Sequence, residues 1–188
     1  MYEAREDKDL AFMLQYENIA WYYDGQVRIL DRRVYPAKTH FVVCHSHVEV
    51  MQAIRDMVTQ SAGPYTAAPM GMALAAWECR NMGIKQQTAY LEEASNCISN
   101  ARPTTRKRMA QLTQSCVEVA TKAIAEGSRA DLAIRDFTVR ANNMRYSKIA
   151  AAAKYLVDMF PKNGTVMTQC FAETIVGMML HECKRRGN

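Results

Sequence analysis

The segment GTVMTQCFAET, residues 164–174, decides the fold class of this chain. A break at Pro161 and Gly164 precedes a short apolar run at 165–167, and apolar residues with helical spacing begin at Ile175. This pattern predicts a buried strand, a tight turn and then a helix. We therefore expect the middle of the segment to lie where the strand ends and the helix begins.

Cys170 is a candidate for chemistry because of that predicted position. Open α/β sheets bind ligands at the carboxyl ends of their strands, and a helix amino terminus favours anions and lowers the pKa of a thiol. A cysteine can equally be a small buried hydrophobe, which is common for this residue type. Both interpretations of Cys170 remain open from these residues alone.

Length and composition indicate a globular protein. The chain has 188 residues, 49% of them hydrophobic, which is enough for one core or one and a half domains. No apolar run approaches the roughly 20 residues that span a bilayer. Residues 1–9 are polar and of mixed charge, unlike a signal peptide. We therefore expect a cytoplasmic protein that does not enter a membrane.

The excess positive charge is concentrated in short clusters. The net charge is +5, and much of it lies in Arg102, residues 106–108 and residues 184–186. Short clusters without interleaved aromatic residues do not favour nucleic acid as the partner. They fit either ordinary charges at helix ends or a small substrate that carries phosphate.

The cysteines and histidines predict reduced thiols rather than a metal site. Six cysteines are spread widely along the chain, and none forms a C-x-x-C pair. This usage indicates free thiols, most of them buried. His45 and His47 lie close to Cys44, but a zinc site requires more ligands at better spacing.

The first part of the chain predicts a β-hairpin followed by a third strand. Residues 19–23 and 26–30 are rich in aromatic and β-branched side chains, and they flank an Asp-Gly turn, a strong hairpin signal. Residues 41–44 predict a third short strand. Ser46 should then begin a helix, with Glu49 completing a capping box.

Helices are predicted over most of the remaining chain. Apolar periodicity and glycine or proline breaks place them at about 66–82, 85–99, 105–126, 129–143 and 147–159. Pro69 should be tolerated only in the first turn of its helix.

The predicted fold class is mainly α with a small amino-terminal β-hairpin sheet, an α+β arrangement over residues 1–160. The break after residue 160 is the predicted domain boundary. Residues 161–188 then resemble the first βα unit of a doubly wound domain whose remainder is absent.

Four motifs occur together in one order: WYYDGQV at 21–27, AIRDMVTQSAG at 53–63, ARPT at 101–104 and MTQCFA at 167–172. In this order and at this spacing they resemble the amino-terminal half of the methylthioribose-1-phosphate isomerase family. That family includes the ribose-1,5-bisphosphate isomerases and the alpha, beta and delta regulatory subunits of translation initiation factor 2B. The resemblance covers nearly all of residues 18–188.

The resemblance implies a hairpin and helical domain followed by a Rossmann-like domain. It implies isomerisation of an aldose 1-phosphate to a ketose 1-phosphate without a cofactor, in which a cysteine and a later aspartate carry the proton or hydride shift. That cysteine corresponds to Cys170, and the phosphate-binding arginine of the Arg-Pro-Thr motif corresponds to Arg102. We therefore expect Cys170 and Arg102 to face one cavity shaped for a sugar phosphate.

This chain also departs from the isomerase pattern. The isomerases have Arg-Gly-Ala where this chain has Gln60, Ser61 and Ala62, so a charged phosphate contact is lost. Gln169 occupies the histidine position of the cysteine motif. The resemblance places the catalytic aspartate beyond this chain. We therefore expect the carboxyl-terminal half of the family, as a separate chain, or a second copy to cover the unfinished sheet.

Three functions fit these residues. The first is an aldose–ketose isomerase of a phosphorylated pentose derivative, inactive without its carboxyl-terminal half. The second is a non-catalytic regulatory or sugar-phosphate-sensing subunit, which Gln60 and Ser61 favour and the retained Cys170 does not. The third is a helical interaction module without any site, in which Cys170 would be buried and unreactive.

Overall fold

A three-stranded antiparallel sheet stands near the start of the fold. The structure is a computed structural model that describes residues 5–187. Asp24 and Gly25 join the first two strands, and both have positive φ, which matches the twist of a two-residue hairpin. The predicted hairpin and third strand are confirmed. The strands, in spatial order, are β1 (Ala20–Tyr23), β2 (Gln26–Leu30) and β3 (Phe41–Cys44).

Helices form most of the remaining structure, so the prediction of a mainly helical chain with a small sheet is confirmed. Single 3-10 turns occur at Phe12–Leu14 and Pro103–Thr105. The helices are α1 (Tyr16–Ile19), α2 (His47–Arg55), α3 (Pro64–Glu78), α4 (Ile84–Ser99), α5 (Arg106–Ala125), α6 (Ala130–Asp158) and α7 (Glu173–Arg186).

The predicted start of α2 is confirmed, with one difference in its cap. The Ser46 hydroxyl accepts a hydrogen bond from the Glu49 N–H at 3.2 Å, as a capping box requires. The Glu49 carboxylate, however, accepts from the N–H of His45 rather than from Ser46. Both bonds satisfy backbone donors that a helix start leaves free.

α3 is the central helix, and every residue from Thr66 to Ala76 is buried. Its small side chains allow α2, α4, α5 and α6 to approach closely. At Gly71 a Cβ would lie 2.8 Å from Val50 Cγ1, so the approach of α2 depends on glycine there. α3 begins at Pro64, which suits the first helical position. Pro69 therefore lies inside the helix, and the prediction that it occupies the first turn is wrong.

α6 is one continuous helix of 29 residues, so its predicted division into 129–143 and 147–159 is wrong. Asparagine usually disfavours helix interiors because its amide competes for backbone hydrogen bonds. Here Asn142 and Asn143 are both buried, and their side-chain oxygens accept hydrogen bonds from other parts of the fold instead. Asn143 accepts from the Tyr16 hydroxyl at 2.7 Å, and Asn142 accepts from the Thr66 hydroxyl at 3.3 Å.

The predicted buried strand at 165–167 is also wrong. Residues 161–172, which we call the connecting segment, are irregular, and the side chain of Met167 is 93% exposed. A parallel strand requires a hydrogen-bonded neighbour. Nothing within 5–187 pairs with this segment, since the sheet consists of β1, β2 and β3 alone.

The helix predicted after the connecting segment is present as α7. It packs against α6 and against the amino-terminal segment in a second apolar cluster, which includes Met178, Met179, Tyr146 and Leu14. A boundary after residue 160 and a Rossmann-like continuation remain predictions. None of the helices that the structure describes is both long and apolar enough to cross a membrane.

Candidate functional site

A partly open hollow lies where the α2–α3 loop, α6 and the start of α7 meet. The polar residues of its lining are Arg32, Thr59, Arg145, Tyr146, Glu173 and Thr174. The hollow is narrow as a whole, with about 20 Å³ open to the centre of a water molecule, which is room for roughly one water.

The α2–α3 loop lines this hollow directly before α3 begins. Met57 and Ser61 adopt positive φ, which costs a non-glycine residue on the order of 1 kcal/mol or more. Gly63 packs against Thr59, because a Cβ at residue 63 would lie 2.0 Å from the Thr59 hydroxyl oxygen. Ala62 consequently lines the hollow next to a helix amino terminus, which carries partial positive charge.

Arg145 brings a half-buried side chain to the hollow from the middle of α6. It donates one hydrogen bond, from Nη2 to Asn142 Oδ1 at 3.3 Å, and its Nε is buried without a partner among the described residues. Burial lowers the pKa of Arg145, and the positive charge of Arg108 lowers it further. The cation therefore lacks a carboxylate to neutralise it within residues 5–187.

Glu173, the first residue of α7, contributes a carboxylate to the lining of the same hollow. Its side chain is 6% exposed, and Oε1 accepts a hydrogen bond from Arg32 Nη1 at 3.2 Å. Oε2 is buried and has no partner among the described residues. The hollow thus contains one unsatisfied donor, on Arg145, and one unsatisfied acceptor, on Glu173.

The predicted site residues do not converge on this hollow. Ala62 lines it, whereas Gln60, Ser61, Arg102 and Cys170 do not. Ser61 is exposed, and Gln60 bonds back to the carbonyl of Met57. Arg102 is half-buried and extended before Pro103, as a residue preceding proline should be. The structure does not bring Cys170 and Arg102 together in this hollow, so their shared cavity remains a prediction.

Cys170 is exposed on the connecting segment, which differs from a thiol buried at a strand end. Its carbonyl accepts a hydrogen bond from the Thr168 hydroxyl at 2.9 Å. The other five cysteines are buried or half-buried. Burial raises the pKa of Cys44 and of Cys79 to about 11 and also raises the pKa of Cys116. Cys170 is therefore the thiol most available for chemistry, contrary to the expectation for a module without a site.

Sequence reasoning missed Arg145, Arg32 and Glu173. A signal for Arg145 was present, because Asn142 and Arg145 stand three residues apart on one helix face among buried positions. Polar residues on an otherwise buried face indicate a buried polar site. Arg32 and Glu173 are distant in sequence, and no spacing pattern connects them.

The chain matches curated relatives over most of its length. Methylthioribose-1-phosphate isomerase from Roseiflexus castenholzii is 30% identical over 159 residues, which cover 81% of this chain and 44% of that protein. The enzyme of the same name from Marinobacter nauticus is 29% identical over 140 residues, covering 65% and 39%. No protein-family model matches the chain.

Two solved structures share the fold. The delta subunit of translation initiation factor eIF-2B from A. fulgidus aligns with a TM-score of 0.65 and 18% identity, covering 91% of this chain and 52% of that chain. The 5-methylthioribose 1-phosphate isomerase from Pyrococcus horikoshii OT3 aligns with a TM-score of 0.64 and 21% identity, covering 90% and 50%.

The chain is related to the methylthioribose-1-phosphate isomerase family. The resemblance inferred from the four motifs is therefore confirmed. The chain spans less than half the length of the curated relatives it matches. Both solved neighbours are below 25% identity, so their likeness shows the fold of this family and not a shared activity.

Proposed function

We propose that this protein acts as an aldose–ketose isomerase on a phosphorylated pentose derivative, with Cys170 as the thiol acid or base. The observation that carries the proposal is the exposure of Cys170, the most accessible of the six cysteines, in a chain related to methylthioribose-1-phosphate isomerases. A thiol must reach its substrate to exchange a proton with it, and a buried thiol cannot.

In this proposal Cys170 exchanges a proton at the carbon that changes oxidation level, and no cofactor is required. Arg102 holds the phosphate of the substrate, because a guanidinium can grip phosphate through two hydrogen bonds. Gln60, Ser61 and Ala62 lie at the same phosphate as polar and backbone contacts in place of an arginine. The reaction takes place in the cytoplasm, away from membranes and nucleic acid.

The chain spans less than half the length of its curated relatives, and we propose that a further polypeptide completes the active site. That polypeptide supplies the catalytic aspartate and covers the connecting segment. We propose the carboxyl-terminal half of the family, as a separate chain, or a second copy of this chain. Exposed apolar side chains at Met167, Phe171 and Leu180 give such a partner surface to bury.

An isomerase assay with methylthioribose 1-phosphate tests this proposal. The chain alone should show no turnover, and the chain combined with the carboxyl-terminal half of the Roseiflexus castenholzii relative should show turnover. Cys170→Ala should reduce that turnover at least about 100-fold, while Cys183→Ala, at a half-buried cysteine of α7, serves as the matched control.

Two results would contradict the proposal. Turnover by the chain alone would show that no further polypeptide is needed. Full turnover by the combined Cys170→Ala protein would remove Cys170 from the chemistry.

A non-catalytic sugar-phosphate sensor is the second candidate, and the residues Gln60 and Ser61 favour it. Loss of an arginine contact to phosphate weakens binding by on the order of 1.5–3 kcal/mol, which a sensor tolerates more readily than an enzyme. Titration calorimetry with sugar phosphates distinguishes the two functions. Binding without turnover in the combined protein would favour the sensor.

A further inference from the structure

The second half of α6 exposes a row of side chains to solvent. Its opposite side packs into the second apolar cluster through Tyr146, Ala153 and Val157. On the outer side, the methionine at 144 is 59% exposed, the tyrosine at 155 is 74% exposed and the methionine at 159 is 73% exposed. We call this exposed row the outer stripe of α6, and its members are Met144, Lys148, Ala151, Ala152, Tyr155 and Met159.

The members of the outer stripe share one side of the helix because of their spacing. Steps of three and four residues return an α-helix to the same side. The steps along the stripe are four, three, one, three and four residues, with the two alanines together in the middle. The stripe is about 22 Å long, and its large exposed apolar side chains provide a surface that a second helix can bury.

The spacing of the outer stripe is the same when it is read from either end. In an antiparallel pair of such helices, a two-fold axis midway between Ala151 and Ala152 therefore brings every member opposite another member. Residue 144 of one copy faces residue 159 of the other, residue 148 faces 155, and residue 151 faces 152. A symmetric interface requires this self-complementarity, whereas an unrelated partner does not. The spacing therefore favours a second copy of this chain as the occupant.

The side chains that the two-fold axis pairs are also chemically compatible. At each end one methionine meets another, and these flexible side chains adapt to each other. Between the end and the middle, the ammonium group of Lys148 faces the ring of Tyr155, which is a favourable cation–π pair. In the middle the alanines allow the two backbones to approach closely, because the distance between packed helices depends on the side chains at their contact.

We propose that the outer stripe of α6 is the interface of a homodimer, in which a second copy of this chain packs its own α6 antiparallel to the first. The proposal does not rest on the isomerase activity, because the stripe contains none of the residues proposed for chemistry. A single helix face on each side is a small interface. The dimer should therefore be weak, with a dissociation constant on the order of micromolar.

Sedimentation velocity of the full chain tests this proposal. Between about 1 and 500 μM the protein should change from monomer to dimer. Ala152→Glu should raise the dissociation constant at least about 100-fold, because it buries an unpaired carboxylate on each side of the interface. Ala110→Glu, at an exposed position of α5, is the matched control and should dimerise as wild type. Glutamate is a good helix former, so circular dichroism should show that both variants fold.

Disulfide cross-linking tests the antiparallel direction. In a Cys170→Ser background, a mixture of Met144→Cys and Met159→Cys proteins should form a disulfide between the two positions under mild oxidation, because they face each other across the interface. Met144→Cys alone should not link to itself, since the two copies of this residue would lie about 22 Å apart. Mass spectrometry of the linked peptides identifies the products.

Four results would overturn the proposal. They are a monomer at every concentration, equal dissociation constants for wild type and Ala152→Glu, and an equal loss of the dimer in Ala110→Glu. The fourth is self-linking of Met144→Cys in place of the mixed disulfide, which would exclude the antiparallel arrangement. Loss of the dimer on addition of the carboxyl-terminal half of the Roseiflexus castenholzii relative would likewise overturn it, since that half would then be the occupant of the stripe.

Discussion

α3 and the connecting segment are opposites in packing. α3 is buried over its whole central length, and its small residues bring four neighbouring helices close. The connecting segment has no regular structure and exposes its apolar side chains, Met167 most of all. α3 therefore holds the fold together, while the connecting segment carries the thiol that we propose for chemistry.

The hollow lies between these two regions. The α2–α3 loop, directly before α3, forms one wall and the first turn of α7, directly after the connecting segment, forms another. Functional residues frequently occur on loops that a rigid scaffold positions. A ligand in this hollow would therefore join the best-packed part of the molecule to its least-packed part.

The two regions should differ most in the rate at which their cysteines react with a thiol reagent. Cys79 ends α3, is fully buried and has a pKa raised to about 11, whereas Cys170 is exposed. Reaction at Cys79 should require an opening of the core, so Cys170 should react at least about 1,000-fold faster in the native protein. Timed labelling with iodoacetamide and mass spectrometry of the two peptides measures the ratio.

Similar rates at both cysteines would contradict that prediction. In urea at a concentration that unfolds the protein, the difference should disappear, which serves as the control for intrinsic reactivity. Equal and slow rates in the native protein would favour the third function, a helical interaction module without a site.

Truncation of one apolar side chain in each region should change the free energy of unfolding by very different amounts. Leu74 on α3 is fully buried, so Leu74→Ala should lower the free energy of unfolding by about 2–5 kcal/mol. Met167→Ala in the connecting segment should change it by less than about 0.5 kcal/mol. Urea denaturation of both variants measures the difference, and a large cost at Met167 would mean that the segment is packed.

Acid titration provides a smaller and pH-dependent test of the core. Burial would raise the pKa of Asp131, at the start of α6, but hydrogen bonds from Arg129 at 2.8 Å and from the Tyr22 hydroxyl at 2.7 Å lower it overall. A carboxyl with a lowered folded-state pKa stabilises the protein above its unfolded pKa of about 3.9. That contribution is lost as the pH falls through the folded pKa.

Asp131→Asn should therefore cost about 1–3 kcal/mol at pH 7, and the difference from wild type should shrink as the pH falls below about 4. Asp136→Asn, at an exposed position of the same helix, should change stability by less than about 0.5 kcal/mol. A cost at Asp131 that does not vary with pH would show that its charge is not the source of the stability.

Local sequence signals predicted the elements that local physics controls. The Asp24-Gly25 turn fixed the hairpin, because both positions require positive φ. Ser46 and Glu49 marked the start of α2, since capping involves neighbours in sequence. Periodic apolar positions found α4, α5 and α7 for the same reason.

Elements that depend on distant partners were not predictable in this way. The apolar run at 165–167 has strand character, but a strand also needs a neighbour, which no local pattern reveals. The predicted helix end at residue 143 is wrong, and the buried amide oxygen of Asn143 is satisfied by Tyr16, which is far away in sequence. No acidic residue within 5–187 forms an ion pair with Arg145, and sequence cannot show which charges remain unpaired.

The continuous course of α6 has a mechanical consequence. At a rise of 1.5 Å per residue, the 29 residues of α6 form a helix about 43 Å long. Ile134 near one end is embedded in the first apolar cluster, and Val157 near the other end is embedded in the second. A displacement of α7 therefore requires either a tilt of the whole of α6 or the breaking of its internal hydrogen bonds. The movements of the hairpin and of α7 are coupled in this way through α6.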